Sequence, residues 1–163
     1  MTALARRLLA ILTLALGCLI GDARAAQPVS AQQQEAIEKN AALVQDLLGK
    51  QAGIAFDYGP GSVEWIDGYI TRLRGTMKEP GRLPDVLGSY LGEAIRRRDG
   101  GRWVRERDGT VGLELTKGFV VYPLDKTAKH FANGEADSVY SLYQSIPALL
   151  AAQRSGQLGS GRR

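Results

Sequence analysis

The sequence contains one cysteine and one histidine in 163 residues, which limits the chemistry that it can support. Cys18 lies in an N-terminal segment that we expect to be removed, so the remaining chain has no thiol for a disulfide or for thiol catalysis. A structural zinc site needs several cysteine and histidine ligands, and His130 alone does not supply them. No Gly-Lys-Ser or Gly-Lys-Thr sequence marks a phosphate-binding loop. We therefore predict neither a metal nor another cofactor.

Residues 1–25 have the layout of a secretory signal peptide. Arg6 and Arg7 provide the positive start, and the apolar run over residues 8–20 is too short for a comfortable membrane span. Residues 23–25 read Ala-Arg-Ala, the small-x-small pattern of a cleavage site. We predict an exported protein, periplasmic or secreted, whose mature chain has no transmembrane span.

Cleavage after Ala25 would leave a chain of low net charge that begins at Ala26. Lys+Arg then falls from 21 to 18 and Asp+Glu from 17 to 16, so the formal charge falls from +4 to +2. A nearly neutral domain gives no support to a nucleic-acid partner. Lipidation of Cys18, which follows a glycine as in a lipobox, is a second interpretation that would give a lipid anchor.

The remaining sequence predicts one α+β domain over residues 26–152 and a disordered, Gly-, Ser- and Arg-rich tail over residues 153–163. The predicted architecture is a three-stranded antiparallel meander packed with four to five helices. Its organising stretch is residues 83–134, which read as an amphipathic helix stopped by Gly100, three short strands and a second helix.

The sequence before this stretch predicts further helices and leaves room for a short strand. Ser30 is the expected N-cap of a first helix that ends near Gly49. Residues 54–58 alternate between apolar and other residues, as a short edge strand would. Ser62 is positioned to cap a second helix.

Two local patterns make finer predictions. Asp-Gly at residues 108–109 indicates a hairpin turn, and a three-residue loop there pairs Trp103 with Leu113, which places the indole on the apolar face. Gly88 and Gly92 share one helix face, although each costs about 1 kcal/mol of helix propensity relative to alanine. We expect this face to lie in close backbone contact with another element.

Tyr90, Glu93 and Glu114 form a candidate pocket. Glu93 lies beside the apolar stripe of the central helix, so it can be partly buried, and Arg97 stands at the i+4 position for an ion pair. Paired carboxylates can serve general acid–base catalysis, and Glu93 with Glu114 is one such pair. The favoured interpretation of Glu93 is nevertheless a structural ion pair.

Arginines cluster at the end of the central helix and along the first strand of the meander. With one tryptophan they form a candidate binding surface for an anionic partner, such as lipid headgroups, an acidic protein face or nucleic acid. Acidic residues are interspersed among them, so a solvated helix end and sheet rim is the favoured alternative. The residues of this candidate surface are Arg96, Arg97, Arg98, Arg102, Trp103 and Arg105.

His130 is expected near the C-terminal end of a short helix, at the surface or as a partner of the helix dipole. As a general base it would need a neighbouring nucleophile and an orienting carboxylate. No serine stands in a nucleophile-elbow sequence, so no catalytic residue is predicted.

Four short sequences form a recognisable pattern: LGSYLGE at residues 87–93, GGRW at 100–103, YPLDK at 122–126 and FANGEADS at 131–138. With this pattern the chain resembles an uncharacterised family of small bacterial exported domains of unknown function. The resemblance covers about residues 62–146. It implies no activity, so no functional residue carries over from it.

We therefore expect a non-enzymatic binding or interaction module of the bacterial envelope, whose partner is an unknown envelope protein or a small molecule. One alternative is a small-molecule-binding domain or hydrolase with a carboxylate site near Glu93 and Glu114. Another is an inhibitor or immunity-type protein. A deep pocket at Glu93, Trp103 and Tyr90 would favour the carboxylate site, whereas a filled core with Glu93 paired to arginine would favour the interaction module.

Overall fold

The computed structural model describes residues 26–156, so the predictions for the signal peptide, for Cys18 and for the tail from residue 157 onward lie outside the described residues. Within them the fold is α+β, with one antiparallel sheet and five α-helices. The strands are β1 (Gln27–Pro28), β2 (Arg102–Arg105), β3 (Val111–Thr116) and β4 (Phe119–Val121). The helices are α1 (Ala31–Ala52), α2 (Pro60–Arg74), α3 (Leu83–Asp99), α4 (Pro123–Asn133) and α5 (Val139–Arg154), with a 3₁₀ turn (Gly134–Asp137) before α5. None of these helices is both long and apolar enough to span a bilayer.

The sheet has four strands in the order β1-β2-β3-β4, so the prediction of three strands is wrong. The additional strand is β1, which pairs antiparallel with β2 and is extended by a hydrogen bond from the Val29 amide to the Trp103 carbonyl, 3.2 Å long. Two residues are too short to show alternation in the sequence. Pro28 cannot donate a ladder hydrogen bond, which suits a strand at the edge of a sheet.

The register of the meander agrees with the prediction. Trp103 pairs with Leu113 and Arg105 pairs with Val111. The connecting loop has three residues between Glu106 and Thr110, and its Gly109 is left-handed with φ +89°. This loop places the indole on the face that packs against the helices, where Trp103 is 2% exposed.

The first helix and the loop after it differ from the expectation. Ser30 caps α1 by accepting a hydrogen bond from the Gln33 amide, as predicted, but the helix continues past Gly49 to Ala52. Gly49 therefore lies inside α1, and a Cβ there would make a contact of 3.4 Å with Phe56. No edge strand forms over residues 54–58, which make an irregular loop with Phe56 and Tyr58 turned into the core.

Helix α3 is the centre of the fold, because all of its residues from Leu87 to Ile95 are buried. The close contact predicted for its glycines is present. A Cβ on Gly88 would lie 2.7 Å from the Leu124 Cα of α4, and a Cβ on Gly92 would lie 2.2 Å from the Trp103 indole of β2. The two glycines therefore let α4 and β2 approach the α3 backbone.

The two faces of the sheet have different surroundings. Trp103 and Leu113 point to the inner face, which packs against the helices. On the outer face Val120 and Tyr122 lie over Gly112, where a Cβ would come within 2.4 Å of Val120 and 3.0 Å of Tyr122. The absence of a side chain at Gly112 thus lets this pair cover the middle of the outer face.

Candidate functional site

Glu93 is held at the centre of a cluster formed with Arg96 and Trp103, which we call the Glu93 cluster. Its side chain is 1% exposed, and Arg96 donates to both carboxylate oxygens through Nε and Nη2, at 2.9 and 2.8 Å. The Trp103 indole N–H donates to Glu93 Oε1 at 2.9 Å. Arg97, the partner predicted from i+4 spacing, is more distant, with its Nε 3.9 Å from Oε2.

The Glu93 carboxylate is stabilised as an anion. Burial raises its pKa, but the hydrogen bonds from Arg96 and Trp103 and the charges of Arg96 and Arg97 outweigh burial and lower the pKa below its usual value. A general acid needs a raised pKa and access to substrate, and Glu93 has neither. Its environment is that of a structural ion pair.

Tyr90 fills the space beside Glu93 instead of lining an open pocket. It is 0% exposed, and its hydroxyl donates to Ser62 Oγ at 2.8 Å and accepts from the Tyr58 amide at 2.9 Å. Tyr58 stacks on Tyr90 with ring centroids 4.6 Å apart, and the Arg97 guanidinium lies 3.8 Å from the centre of the Tyr58 ring. These contacts hold Tyr58 at φ +66°, in the left-handed region that a tyrosine rarely adopts.

Glu114 lies on the outer face of the sheet, whereas Glu93 lies beneath the inner face against Trp103. Arg102 donates to Glu114 Oε2 through Nε and Nη2, at 2.9 and 2.7 Å, and lowers the pKa of Glu114. The candidate pocket of Tyr90, Glu93 and Glu114 therefore does not come together in the structure. Sequence spacing could not show this, because it does not reveal which side of the sheet the helix covers.

The arginines of the candidate surface are distributed over several neighbours. Arg98 donates to Asp99 and to the Tyr143 carbonyl and lies over the Tyr143 ring, 3.6 Å from its centre. Arg105 reaches Gln33 at the start of α1 and the Gly109 carbonyl. With Arg96, Arg97 and Arg102 placed as above and Trp103 buried, the run does not form one continuous basic patch.

An open groove follows the outer face of the sheet. Its volume is about 470 Å³, and Tyr122 at its rim is 37% exposed and donates a hydrogen bond to Glu106 at 3.2 Å. Glu114 lines this groove, whereas its ion-pair partner Arg102 lines a neighbouring cavity with Gly101. The groove is lined by Ala26, Glu106, Glu114, Lys117, Gly118, Phe119, Val120 and Tyr122.

A second buried polar cluster, which we call the His130 cluster, was missed from the sequence. It consists of Asp67 and Thr71 of α2 and His130 of α4. His130 is 0% exposed, so the prediction of a surface histidine is wrong. Its Nε2 lies 3.2 Å from Thr71 Oγ1, and its Nδ1 lies 3.4 Å from Asp67 Oδ1 without a hydrogen bond to it.

The signal for this burial was the periodicity of α4. Pro123, Thr127, His130 and Phe131 form its buried face at helical spacing, and His130 shares that face with apolar Phe131. The order hydroxyl, imidazole, carboxylate is that of acyl-transfer triads. However, the Thr71 hydroxyl donates to the Asp67 carbonyl of its own helix at 3.1 Å, and the imidazole is fully enclosed. The arrangement therefore supports packing of α2 against α4 rather than attack on a substrate.

Among residues 26–156, no group of three or more His, Cys, Asp or Glu side chains is arranged to hold a metal ion. No protein-family model, no curated protein and no solved structure matches the chain. The resemblance based on the LGSYLGE pattern therefore stays a prediction.

Proposed function

We propose that the protein is an exported, non-enzymatic binding module of the bacterial envelope, and that its binding surface is the outer groove of the sheet. The observation that carries this proposal is the groove itself. It combines exposed Tyr122 and apolar Val120 and Phe119 with charges of both signs, in Lys117 and Glu106.

The composition of the groove suits a protein partner. Aromatic residues are enriched in protein interfaces, and a mixed rim of charges favours a specific surface over a uniform polyanion. Strand β4 lies at the edge of the sheet beside the groove, so an extended segment of a partner could add to it. The partner that we infer is an envelope protein.

The inner carboxylate also supports a binding role. Glu93 is buried, paired to Arg96 and separated from Glu114 by the sheet, which is the filled-core arrangement that we associated with an interaction module. Glu114 lines the outer groove, whereas Glu93, whose side chain is 1% exposed, does not. The groove is consequently the better candidate surface.

The proposal can be tested with protein recovered from the periplasmic and membrane fractions of a bacterial host. Intact mass should show a chain that begins at Ala26, and gentle ionisation should retain a partner protein at a fixed ratio. A chain beginning at a lipidated Cys18 would instead indicate a membrane-tethered protein, and a chain with its first 25 residues intact would contradict export.

Two variants locate the surface. The double change Lys117→Glu and Tyr122→Ala alters charge and aromatic area in the groove, and we expect it to weaken partner retention at least about tenfold, which corresponds to about 1.4 kcal/mol. Leu47→Ala is the control, because Leu47 is 60% exposed on α1 and does not line the groove. Equal retention by both variants, or loss in the control alone, would contradict this placement of the site.

A further inference from the structure

The His130 cluster joins three segments that are distant in the sequence. Asp67 Oδ1 on α2 accepts hydrogen bonds from Ser138 Oγ at 2.7 Å and from the Tyr140 amide at 3.1 Å, so it caps the start of α5. The same oxygen faces His130 Nδ1 of α4 at 3.4 Å. One carboxylate oxygen thus stands between the imidazole and the first turn of α5.

We assign the neutral tautomer of the imidazole from its neighbours. The Thr71 hydroxyl donates to the Asp67 carbonyl, so Thr71 Oγ1 is available to accept from a protonated Nε2. Nδ1 then carries a lone pair, and it is fully buried without a hydrogen-bond partner. A proton added to the ring would go to Nδ1, which lies 3.4 Å from an oxygen that already accepts two hydrogen bonds.

The surroundings do not compensate a positive charge on the ring. The charges that act on it are those of Asp67 and Arg74 on α2, Lys126 on its own helix α4 and Asp137 in the 3₁₀ turn. These two acids and two bases leave no net counter-charge. Burial is the main effect and lowers the pKa of His130 below its usual 6.5.

Protonated His130 has two ways to become satisfied, and both weaken the start of α5. It can donate to Asp67 Oδ1, where it competes with Ser138 and Tyr140 because a single carboxylate oxygen accommodates about two such hydrogen bonds. Alternatively the junction of α2, α4 and α5 opens so that water reaches the charged ring. In either case the α5 cap loosens.

We propose that His130 and Asp67 form an acid-sensitive latch, in which protonation of the imidazole releases the N-terminal turn of α5 from α2. This inference is independent of the proposed binding function, because none of the residues of the latch lines the outer groove. It assigns to the only histidine of the sequence a regulatory role that its burial alone would not require.

The test follows the wild-type protein by NMR from pH 7.5 to 4.5, with a purification tag that contains no histidine. The chain has one histidine, so its ring signal is unambiguous. We expect a midpoint below 6.5, and we expect the Tyr140 amide to lose protection against exchange with the same midpoint. Once protonation is coupled to opening of the α5 cap, the protection factor of the Tyr140 amide should fall by about tenfold for each unit that the pH decreases.

Two controls separate the latch from general loosening in acid. The Gln33 amide, which donates to Ser30 at the start of α1, is a matched helix-cap amide without a histidine nearby and should keep its protection. In His130→Asn, Tyr140 protection should become independent of pH; if that variant does not fold, the wild-type titration decides alone. A midpoint at or above 6.5, a ring that stays neutral until the whole chain unfolds, or a Tyr140 amide that keeps its protection while the ring titrates would overturn the proposal.

Discussion

The Glu93 and His130 clusters both bury an ionisable side chain between elements of the core, but they satisfy it to different degrees. Both oxygens of Glu93 accept hydrogen bonds, from Arg96 and from the Trp103 indole. His130 has a contact at Nε2 with Thr71 and a buried Nδ1 without a hydrogen bond. A buried charge whose hydrogen bonds are all made stabilises one arrangement of its neighbours. A buried nitrogen without a hydrogen bond makes the arrangement of its neighbours depend on whether that nitrogen is protonated.

The two clusters also differ in what they connect. Glu93 joins α3 to β2, which follows it directly along the chain, and Arg96 on the same helix completes the ion pair. His130 joins α4 to α2 across 59 residues of sequence, and Asp67 extends the junction to α5. The Glu93 cluster therefore belongs to the compact centre of the fold, and the His130 cluster belongs to the junction of more distant helices.

The largest expected effect comes from removing the charge in the satisfied cluster. Glu93→Gln leaves Arg96 without its carboxylate and turns an amide toward donors, so we expect the free energy of unfolding to fall by about 3 kcal/mol. Glu114→Gln is the matched control, because its partner Arg102 has a side chain that is 61% exposed, and it should cost less than about 1 kcal/mol. Urea unfolding of both variants checks this prediction, and equal costs would show that Glu93 is no more structural than Glu114.

The next effect concerns the backbone contact that allows Trp103 to reach Glu93. Alanine at Gly92 gains about 1 kcal/mol in helix propensity, but its Cβ would lie 2.2 Å from the indole ring. We expect overpacking to outweigh the gain and Gly92→Ala to destabilise the protein by about 2 kcal/mol. Gly61→Ala is the control, because its Cβ meets open space in the first turn of α2. A Gly92→Ala protein as stable as Gly61→Ala would mean that the indole can move away without loss.

The sequence was informative wherever a pattern acts over a short range. Helical spacing predicted α3 and its end before Gly100, and the Asp-Gly turn predicted the pairing of Trp103 with Leu113. The paired glycines Gly88 and Gly92 predicted close approach, because their cost in propensity is otherwise unexplained. In each of these cases the cause lies within one element or one hairpin.

What could not be predicted depends on contacts between distant segments. Strand β1 exists because β2 offers it an edge, and two residues carry no periodicity of their own. Glu93 and Glu114 were grouped in one pocket because spacing does not tell on which side of the sheet α3 packs. His130 was placed at the surface because a position near a helix C-terminus was given more weight than the buried face that it shares with Phe131. The outer groove is likewise assembled from separate segments, and of its lining residues only Tyr122 lies in the four-part sequence pattern.

The last effect, and the one that separates the two clusters most directly, is the dependence of stability on pH. The pKa of His130 is lowered in the folded protein, so the folded state binds fewer protons than the unfolded state once the pH falls below 6.5, and stability should decrease there by up to about 1.4 kcal/mol per pH unit. The pKa of Glu93 is also lowered, but its contribution to stability is fully present above pH 4.5 and is lost only as the pH falls below that value.

Urea unfolding between pH 7.5 and 4.5 should therefore show a decline in stability that begins near pH 6.5 in wild type and in Glu93→Gln, and that is absent in His130→Asn. Glu114, Asp108 and Asp137 also have lowered pKa values and act only in the more acidic range, so the upper part of the curve reports His130. If His130→Asn retained the decline between pH 6.5 and 5.5, the buried nitrogen would not be its source, and the contrast between a satisfied and an unsatisfied cluster would lose its physical basis.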